Sequence, residues 1–286
     1  MVRSTIQITK ASGEEVPFSE KKLRASLERS GATESQIESV VDDVYNQLYE
    51  GIETGKIYRK AYQLLRKKSR SKAARYKLKK AIMELGPSGY PFEQFVAAIL
   101  QQQGFRTEVG VVVPGRCVKH EVDVMADKNG KLVMVECKFH NRPGVKCDVK
   151  VPLYIHSRFR DVAMGQNDKK DNRFRDYDGW IVTNTRFTDD AVSYGTCSGL
   201  TLLGWDYPAK SSLRHRIGLA GLHPVTCLST LNRKEKEYLL GHGVVLCRKV
   251  PEKEDLLHAL GLSEHRVAKV IMECEELVNE LDVPET

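Results

Sequence analysis

The feature that most constrains this chain is the dipeptide Asn129-Gly130, set between the runs HEVDVMADK and KLVMVECKFH. Asn-Gly supplies the two positive-φ positions that a two-residue hairpin turn requires. The flanking runs alternate apolar and polar residues, so pairing them decides which side chains share a face. With a two-residue turn, Lys128 faces Lys131 and Asp123 lies opposite Glu136; with all of Asp127–Gly130 as the loop, Asp123 lies opposite Met134. Both registers put Asp123, Glu136 and Lys138 on one face and Val122, Val124, Val133 and Val135 on the other. Carboxylates opposed across a strand pair repel. A hard divalent cation relieves that repulsion, because carboxylate oxygen is its preferred ligand. A lysine beside such a site can orient water or stabilise charge developing on a phosphate. A half-exposed hairpin whose charges face water accounts for the same residues without any ligand.

The rest of the chain places this hairpin between two different kinds of sequence. Ahead of it, IQITKASGEEVPFS reads as a short β-hairpin and Ser19 as the N-cap of a helix that Gly31 ends. A second helix carries Ile37, Val40, Val41, Val44 and Leu48 at helical spacing and stops at Gly51. Two more follow, from about Lys56 to Arg66 and from Ser71 to Glu84. The run Gly86-Pro87-Ser88-Gly89-Tyr90-Pro91 is strong punctuation and marks a domain boundary. Beyond it the pattern becomes α/β: a helix over PFEQFVAAILQQQGF, the strand-like RTEVGVVVPG, the hairpin, a helix over LYIHSRFRDVAMGQN, and a strand–helix–strand run from GWIVTNT to LTLLGWDYP. That last order predicts a parallel pair with a crossover. From about Ala209 the chain turns to short helices separated by glycines, with Leu260-Gly261-Leu262-Ser263 faintly like a helix-hairpin-helix unit.

Charge suggests the partner. The net charge is +7, and between Lys56 and Lys80 there is no acidic residue while Lys and Arg recur throughout. A polyanion is the natural inference, a solvated basic helix face the plainer one. Seven scattered cysteines without a C-x-x-C pair argue free thiols in a reducing cytoplasm rather than a disulfide framework or structural zinc. No apolar run approaches the roughly 20 residues of a membrane span, and the N-terminus lacks the apolar stretch of a secretory signal.

Asp123 followed by Glu136-Cys137-Lys138 resembles the PD-(D/E)xK nuclease signature, and its surroundings resemble the Mrr-type restriction endonuclease domain. The matching features are an early glutamate in the helix Phe92-Glu93-Gln94-Phe95, the break Gly104-Phe105, the strand Glu121-Val122-Asp123-Val124, and later Thr183-Asn184-Thr185 with Phe187 and Ala191. The resemblance spans about Gly89 to Tyr207; Glu121 replaces the usual glycine, and the signature proline is absent. It implies that Asp123, Glu136 and Glu93 hold Mg²⁺ or Mn²⁺ and that Lys138 assists water attack on a DNA phosphodiester. Cys137 alternates to the apolar face and reads as core. Gln166, in the following helix, is a polar residue at a place that often looks towards such sites, though a solvated helix glutamine is the plainer reading. His120 and His140 flank the strands without the spacing of a zinc site.

The first segment resembles an ATP-cone, on Ile8-x-Lys10-x-x-Gly13, Val16-Pro17-Phe18, Lys21-Lys22-Leu23 and Gly51-Ile52-Glu53-Thr54, with Ala11 and Ser12 where a basic–acidic pair is common. This implies an adenine nucleotide, ATP or dATP, under a hairpin lid, with Lys10 and Lys22 on its phosphates and Thr54 at a helix start suited to an anion. No Walker loop is present, so the nucleotide reads as an effector. The expected architecture is therefore a mostly helical ATP-cone with a small β-hairpin (1–86), a restriction-endonuclease-like α/β domain whose mixed sheet is flanked by helices (89–207), and a small helical C-terminal region for DNA binding or oligomerisation (209–286). A metal-dependent DNA endonuclease controlled by a nucleotide is the leading expectation, with a nucleotide-sensing DNA-binding regulator on an inactive nuclease fold as the alternative. Both resemblances imply a homo-oligomer.

Overall fold

The computed structural model describes residues 6–10, 12–167 and 176–279, so Ala11 of the expected nucleotide motif lies outside the described residues. β1 (Gln7–Thr9) and β2 (Glu15–Pro17) form the expected antiparallel hairpin, with Ile8 opposite Val16. Helix α1 (Glu20–Glu28) starts at Ser19, whose hydroxyl accepts from the Lys22 N–H at 3.3 Å. Helix α2 (Glu34–Tyr45) buries Ile37, Val40, Val41 and Val44, the positions its spacing predicts. A short β3 (Ile52–Glu53) then adds to the hairpin in parallel, Ile8 opposite Ile52, and leads directly into α3 (Thr54–Lys68). The predicted fourth helix is two, α4 (Arg70–Tyr76) and α5 (Leu78–Met83), parted at Lys77.

After the Gly-Pro punctuation comes α6 (Tyr90–Gln102), whose Phe92 and Phe95 are fully buried. Each such side chain contributes about 1.5–3 kcal/mol by leaving water. Three strands follow, β4 (Arg106–Pro114), β5 (Lys119–Lys128) and β6 (Lys131–Lys138). The chain continues through β7 (Lys146–Cys147), α7 (Lys150–Asn167), β8 (Asp176–Thr183), β9 (Arg186–Phe187), α8 (Asp189–Cys197) and β10 (Thr201–Leu203). The main sheet has the order β10-β8-β6-β5-β4 and is mixed: β4, β5 and β6 pair antiparallel, whereas β6, β8 and β10 are parallel. The crossover from β8 through α8 to β10 is the one the sequence pattern predicts. One face packs on α6 through Val124, Val133 and Val135. The other packs on α7 and α8 through Met134, Ile181, Ile155, Phe159 and Ala191.

The C-terminal region holds α9 (Leu213–Ala220), α10 (Arg233–Gly241), α11 (Glu254–Ala259) and α12 (Glu264–Asn279). Two buried segments meet between them, where the Val225 N–H bonds the Val245 carbonyl and the Cys247 N–H bonds the His223 carbonyl, both at 2.9 Å. The punctuation at Gly86–Pro91 separates the chain but not the core. Ala74, Leu78, Ala81, Ile82 and Leu85 share one apolar cluster with α6, the sheet, and Cys227 and Val270 of the C-terminal region. Part of the basic run serves this junction: Arg66 donates to the Ser229 carbonyl and Lys77 to that of Thr226. Among the described residues no helix is long and apolar enough to cross a membrane.

Candidate active site

Asn129 and Gly130 both have positive φ, 53° and 80°, and Lys128 pairs with Lys131, so the turn has two residues. The β5–β6 ladder continues to Val124–Val135 and ends there. Beyond that point Asp123 replaces a strand partner: its carboxylate accepts the Cys137 N–H at 2.7 Å. In β4, Gly110 lies between the pairs Val109–Val124 and Val111–Val122 and has φ 66°, a conformation open to glycine. The faces exchange at this step. Val124 is buried on the α6 side, but Val122 joins Val113 and Phe159 on the α7 side. The expectation that Val122 shares a face with Val124, Val133 and Val135 is thus corrected: strict alternation is broken opposite Gly110. Asp123 stands at that break.

Glu136 is 4% exposed. Lys138 Nζ lies 2.5 Å from its Oε1, and Arg158 Nη1 lies 2.9 Å from its Oε2. Arg158 comes from α7, also donates to the Glu121 carbonyl, and stacks over Tyr154 at 5.4 Å. Glu93 enters from the first turn of α6 and is half-buried. Burial first, then the charges of Asp123, Glu121 and Glu136, push its carboxyl up to about 7. Burial and Glu136 push Asp123 up to about 6, against the opposing pull of the Cys137 N–H, Lys138 and Arg158. Three carboxylates therefore share a half-buried space with two cations, and Asp123 and Glu93 resist ionisation through burial first and the neighbouring carboxylates second.

The strand end that carries Lys138 is pinned from β8. Thr183 Oγ1 donates to the Lys138 carbonyl at 2.7 Å. The buried Asn184 amide bonds both backbone groups of His140, accepting at 2.9 Å and donating at 2.7 Å, as an extra strand residue would. Phe187 and Ala191, named with these residues in the sequence, are buried in the adjoining cluster.

Arg158 is the site residue that sequence reasoning missed. It lies eight residues, or about 12 Å of helix, before Gln166 on the same helix. His120 is bonded to Asp161 at 2.8 Å, and the His140 ring lies 3.5 Å from Cys147 Sγ; among the described residues no third His, Cys, Asp or Glu joins either pair as a metal ligand. Cys137 is buried in the α6-side core, as alternation predicts. In the N-terminal module, Lys10 is paired with Glu14 at 2.9 Å, Lys22 is exposed in the first turn of α1, and Thr54 opens α3. The Thr9–Glu53 pairing brings Lys10 alongside that helix start.

The donor set of Asp123, Glu136 and Glu93 is all carboxylate oxygen, and its shared charge is the kind a divalent cation offsets. The arrangement seen is not a closed cage: among the described residues no three Asp, Glu, His or Cys side chains converge as metal ligands, Glu136 being held by Lys138 and Arg158.

Residues 6–84 match the family described as ATP cone domain, residues 86–206 the one described as restriction endonuclease, and residues 223–278 the one described as AF1548-like, C-terminal. An uncharacterized protein of Archaeoglobus fulgidus is 35% identical over 184 residues, which cover 64% of this chain and 99% of that protein. The chain belongs to the AF1548-like family. The crystal structure of AF1548, a protein of unknown function, aligns at 35% identity with a TM-score of 0.55, over 67% of this chain and 99% of that one. Within this AF1548-like chain an ATP-cone precedes a restriction-endonuclease-like domain, as the motifs imply. The MspJI restriction endonuclease in complex with an oligonucleotide, at 14% identity and a TM-score of 0.28, is too distant to carry an argument.

Proposed function

We propose that this protein is a divalent-metal-dependent DNA endonuclease whose output is set by an adenine nucleotide on its N-terminal ATP-cone. The observation that carries the reading is the half-buried group of Asp123, Glu136, Glu93 and Lys138 at the point where β5 parts from β6 of a restriction-endonuclease-like domain. Asp123, Glu136 and Glu93 would hold Mg²⁺ or Mn²⁺, which when bound polarises a phosphate and acidifies water. The protein's own groups do the rest. Lys138 orients the attacking water and stabilises charge on the phosphate, Arg158 holds the second oxygen of Glu136, and Asn184 keeps the Lys138 strand end in place. Lys10, Lys22 and Thr54 take the nucleotide phosphates. The basic residues of α3 and α4 that are not engaged with the C-terminal region attract the DNA backbone, and that binding weakens steeply with salt.

The test is plasmid DNA with Mg²⁺ or Mn²⁺, with and without ATP or dATP, using wild type beside Lys138→Ala. Metal-dependent nicking lost in the variant is expected. Absence of both cleavage and metal binding in the intact protein overturns the proposal. The hold of Lys138 and Arg158 on Glu136 favours one second reading, a nucleotide-sensing DNA-binding regulator. Nucleotide-dependent DNA binding without cleavage, unchanged by Lys138→Ala, selects it. Light scattering with and without nucleotide tests the homo-oligomer that both families imply.

A further inference from the structure

A cavity of about 510 Å³ lies where all three parts of the chain meet. Its walls come from α1, α3, α4 and α5 of the ATP-cone, from Trp205 just after β10, and from α9 and the turn after it. The size lies within the roughly 300–1,000 Å³ of small-molecule sites. Four basic side chains line it, Arg29, Arg75, Lys79 and Arg214, and no acidic one does. The nearby acid, Asp206, is shared between Arg186 and Arg214, each at 3.3 Å. Burial and then the charge of Arg214 lower the Arg29 pKa, so these guanidinium groups feel one another. A concave space lined by four basic side chains and no acidic one is complementary to an anion, and arginine suits phosphate oxygens in particular.

The same cavity has planar apolar walls and, in its lining residues, unpartnered polar atoms. Tyr58 and Tyr76 are stacked at 5.0 Å with 15° between their planes, and Lys79 Nζ lies 5.8 Å over the Trp205 ring. The Tyr58 hydroxyl and His223 Nδ1 are buried with no hydrogen-bond partner. Burial and then the charge of Arg75 hold His223 down to about 4, against an opposing pull from the Gly221 backbone, so the ring is neutral at physiological pH. A neutral imidazole carries one donor and one acceptor nitrogen, so Nδ1 can meet a hydroxyl in either role. Buried polar atoms of this kind normally find a partner.

We propose that this cavity binds a phosphorylated, ring-bearing small molecule of the nucleoside-phosphate class, at a site separate from that of Lys10, Lys22 and Thr54. The arginines take the phosphate, the aromatic walls the ring, and Tyr58 and His223 the hydroxyl or N–H groups. None of the three residues of the hairpin site lines the cavity. The inference concerns binding alone and rests on neither the cleavage reading nor occupancy of the hairpin site. Because the walls belong to three parts of the chain, a ligand here binds only their assembled arrangement and stabilises it by mass action.

The experiment is calorimetric titration of the full chain, without metal, with AMP and with pyrophosphate, in a Lys22→Ala background that weakens the hairpin site. Saturable binding of AMP, tighter than that of pyrophosphate, is expected. Arg29→Ala should weaken it about tenfold or more, the loss of one charge-assisted bond. Leu219→Glu is the second variant: the side chain lines the cavity yet is 56% exposed, so a carboxylate there repels the anion without disturbing the core. Circular dichroism and a melting curve confirm that each variant is folded. The proposal is overturned by absence of saturable binding up to millimolar AMP, by binding that neither substitution weakens, or by pyrophosphate binding as tightly as AMP.

Discussion

Replacing Asp123 with asparagine should make the protein more stable at neutral pH while abolishing any metal-dependent cleavage. Folding raises the Asp123 pKa from 3.8 to about 6, chiefly through burial and then through Glu136. A carboxylate whose pKa is raised by folding destabilises the native state wherever it is ionised. The penalty is absent below the unfolded value near 3.8, grows as pH rises to about 6, and is constant above that. The full shift corresponds to about 3 kcal/mol. Part of the carboxylate faces solvent, and screening reduces this to about 1–2 kcal/mol. The asparagine would keep an oxygen for the Cys137 N–H and lose only the charge. Urea unfolding in EDTA at pH 7.5 should therefore show the variant more stable than wild type by about 1–2 kcal/mol, with the gain vanishing at pH 4. Adding Mg²⁺ should stabilise wild type and leave the variant unmoved. A variant equal to or weaker than wild type at pH 7.5, or a gain that persists at pH 4, would refute the claim that like charge is stored at this break in the sheet.

Arg158→Met should leave Glu136 Oε2 without its 2.9 Å partner and lower cleavage about tenfold or more through kcat, with Arg158→Lys recovering only part because it cannot fork to the Glu121 carbonyl; steady-state cleavage rates for the two variants check this. Asn184→Ala removes both bonds to the His140 backbone and should lower stability by about 1–3 kcal/mol, read by denaturant unfolding. His223 is held down to about 4, so the unfolded chain binds the proton first: stability should fall as pH drops from 6.5 to about 4, by about 3 kcal/mol, and then level off. His223→Asn should remove that step from the pH profile of the unfolding midpoint.

Some of this arrangement is written in short stretches of sequence and some is not. Asn129-Gly130 selects the turn, and the turn selects the register, so the association of Asp123 with the Glu136–Lys138 strand follows from counting. The exchange of faces at Asp123 does not, because it depends on Gly110 in a neighbouring strand adopting positive φ. A glycine inside a strand-like run is the one local hint of such a break. Arg158 carries no local mark at all. It looks like any basic residue of an exposed helix turn until β6 is placed beside it, 22 residues away in sequence. The two-residue β3 is legible only once β1 is there to pair with it. The basic run reads as a surface for a polyanion because its charge is local information, while the carbonyls that Arg66 and Lys77 reach lie 163 and 149 residues downstream.

The shared core changes what nucleotide control would have to mean. A module on a flexible linker can act only by blocking or tethering, whereas here α5 is part of the apolar cluster that supports α6, and the Thr226 hydroxyl donates to the Ala81 carbonyl across the same junction at 2.7 Å. From α5 the chain runs through Gly86-Pro87-Ser88-Gly89 into the helix turn that presents Glu93. Contiguity of this kind does not establish coupling, which requires an element with two arrangements that both sites bias. The first turn of α6 is where such an element has to be if the nucleotide acts on the carboxylate cluster. We therefore predict that ATP or dATP changes hydrogen exchange at the amides of residues 90–95, and that Lys22→Ala removes the change. Exchange in that turn that is identical with and without saturating nucleotide would exclude α6 as the route and leave only control by assembly.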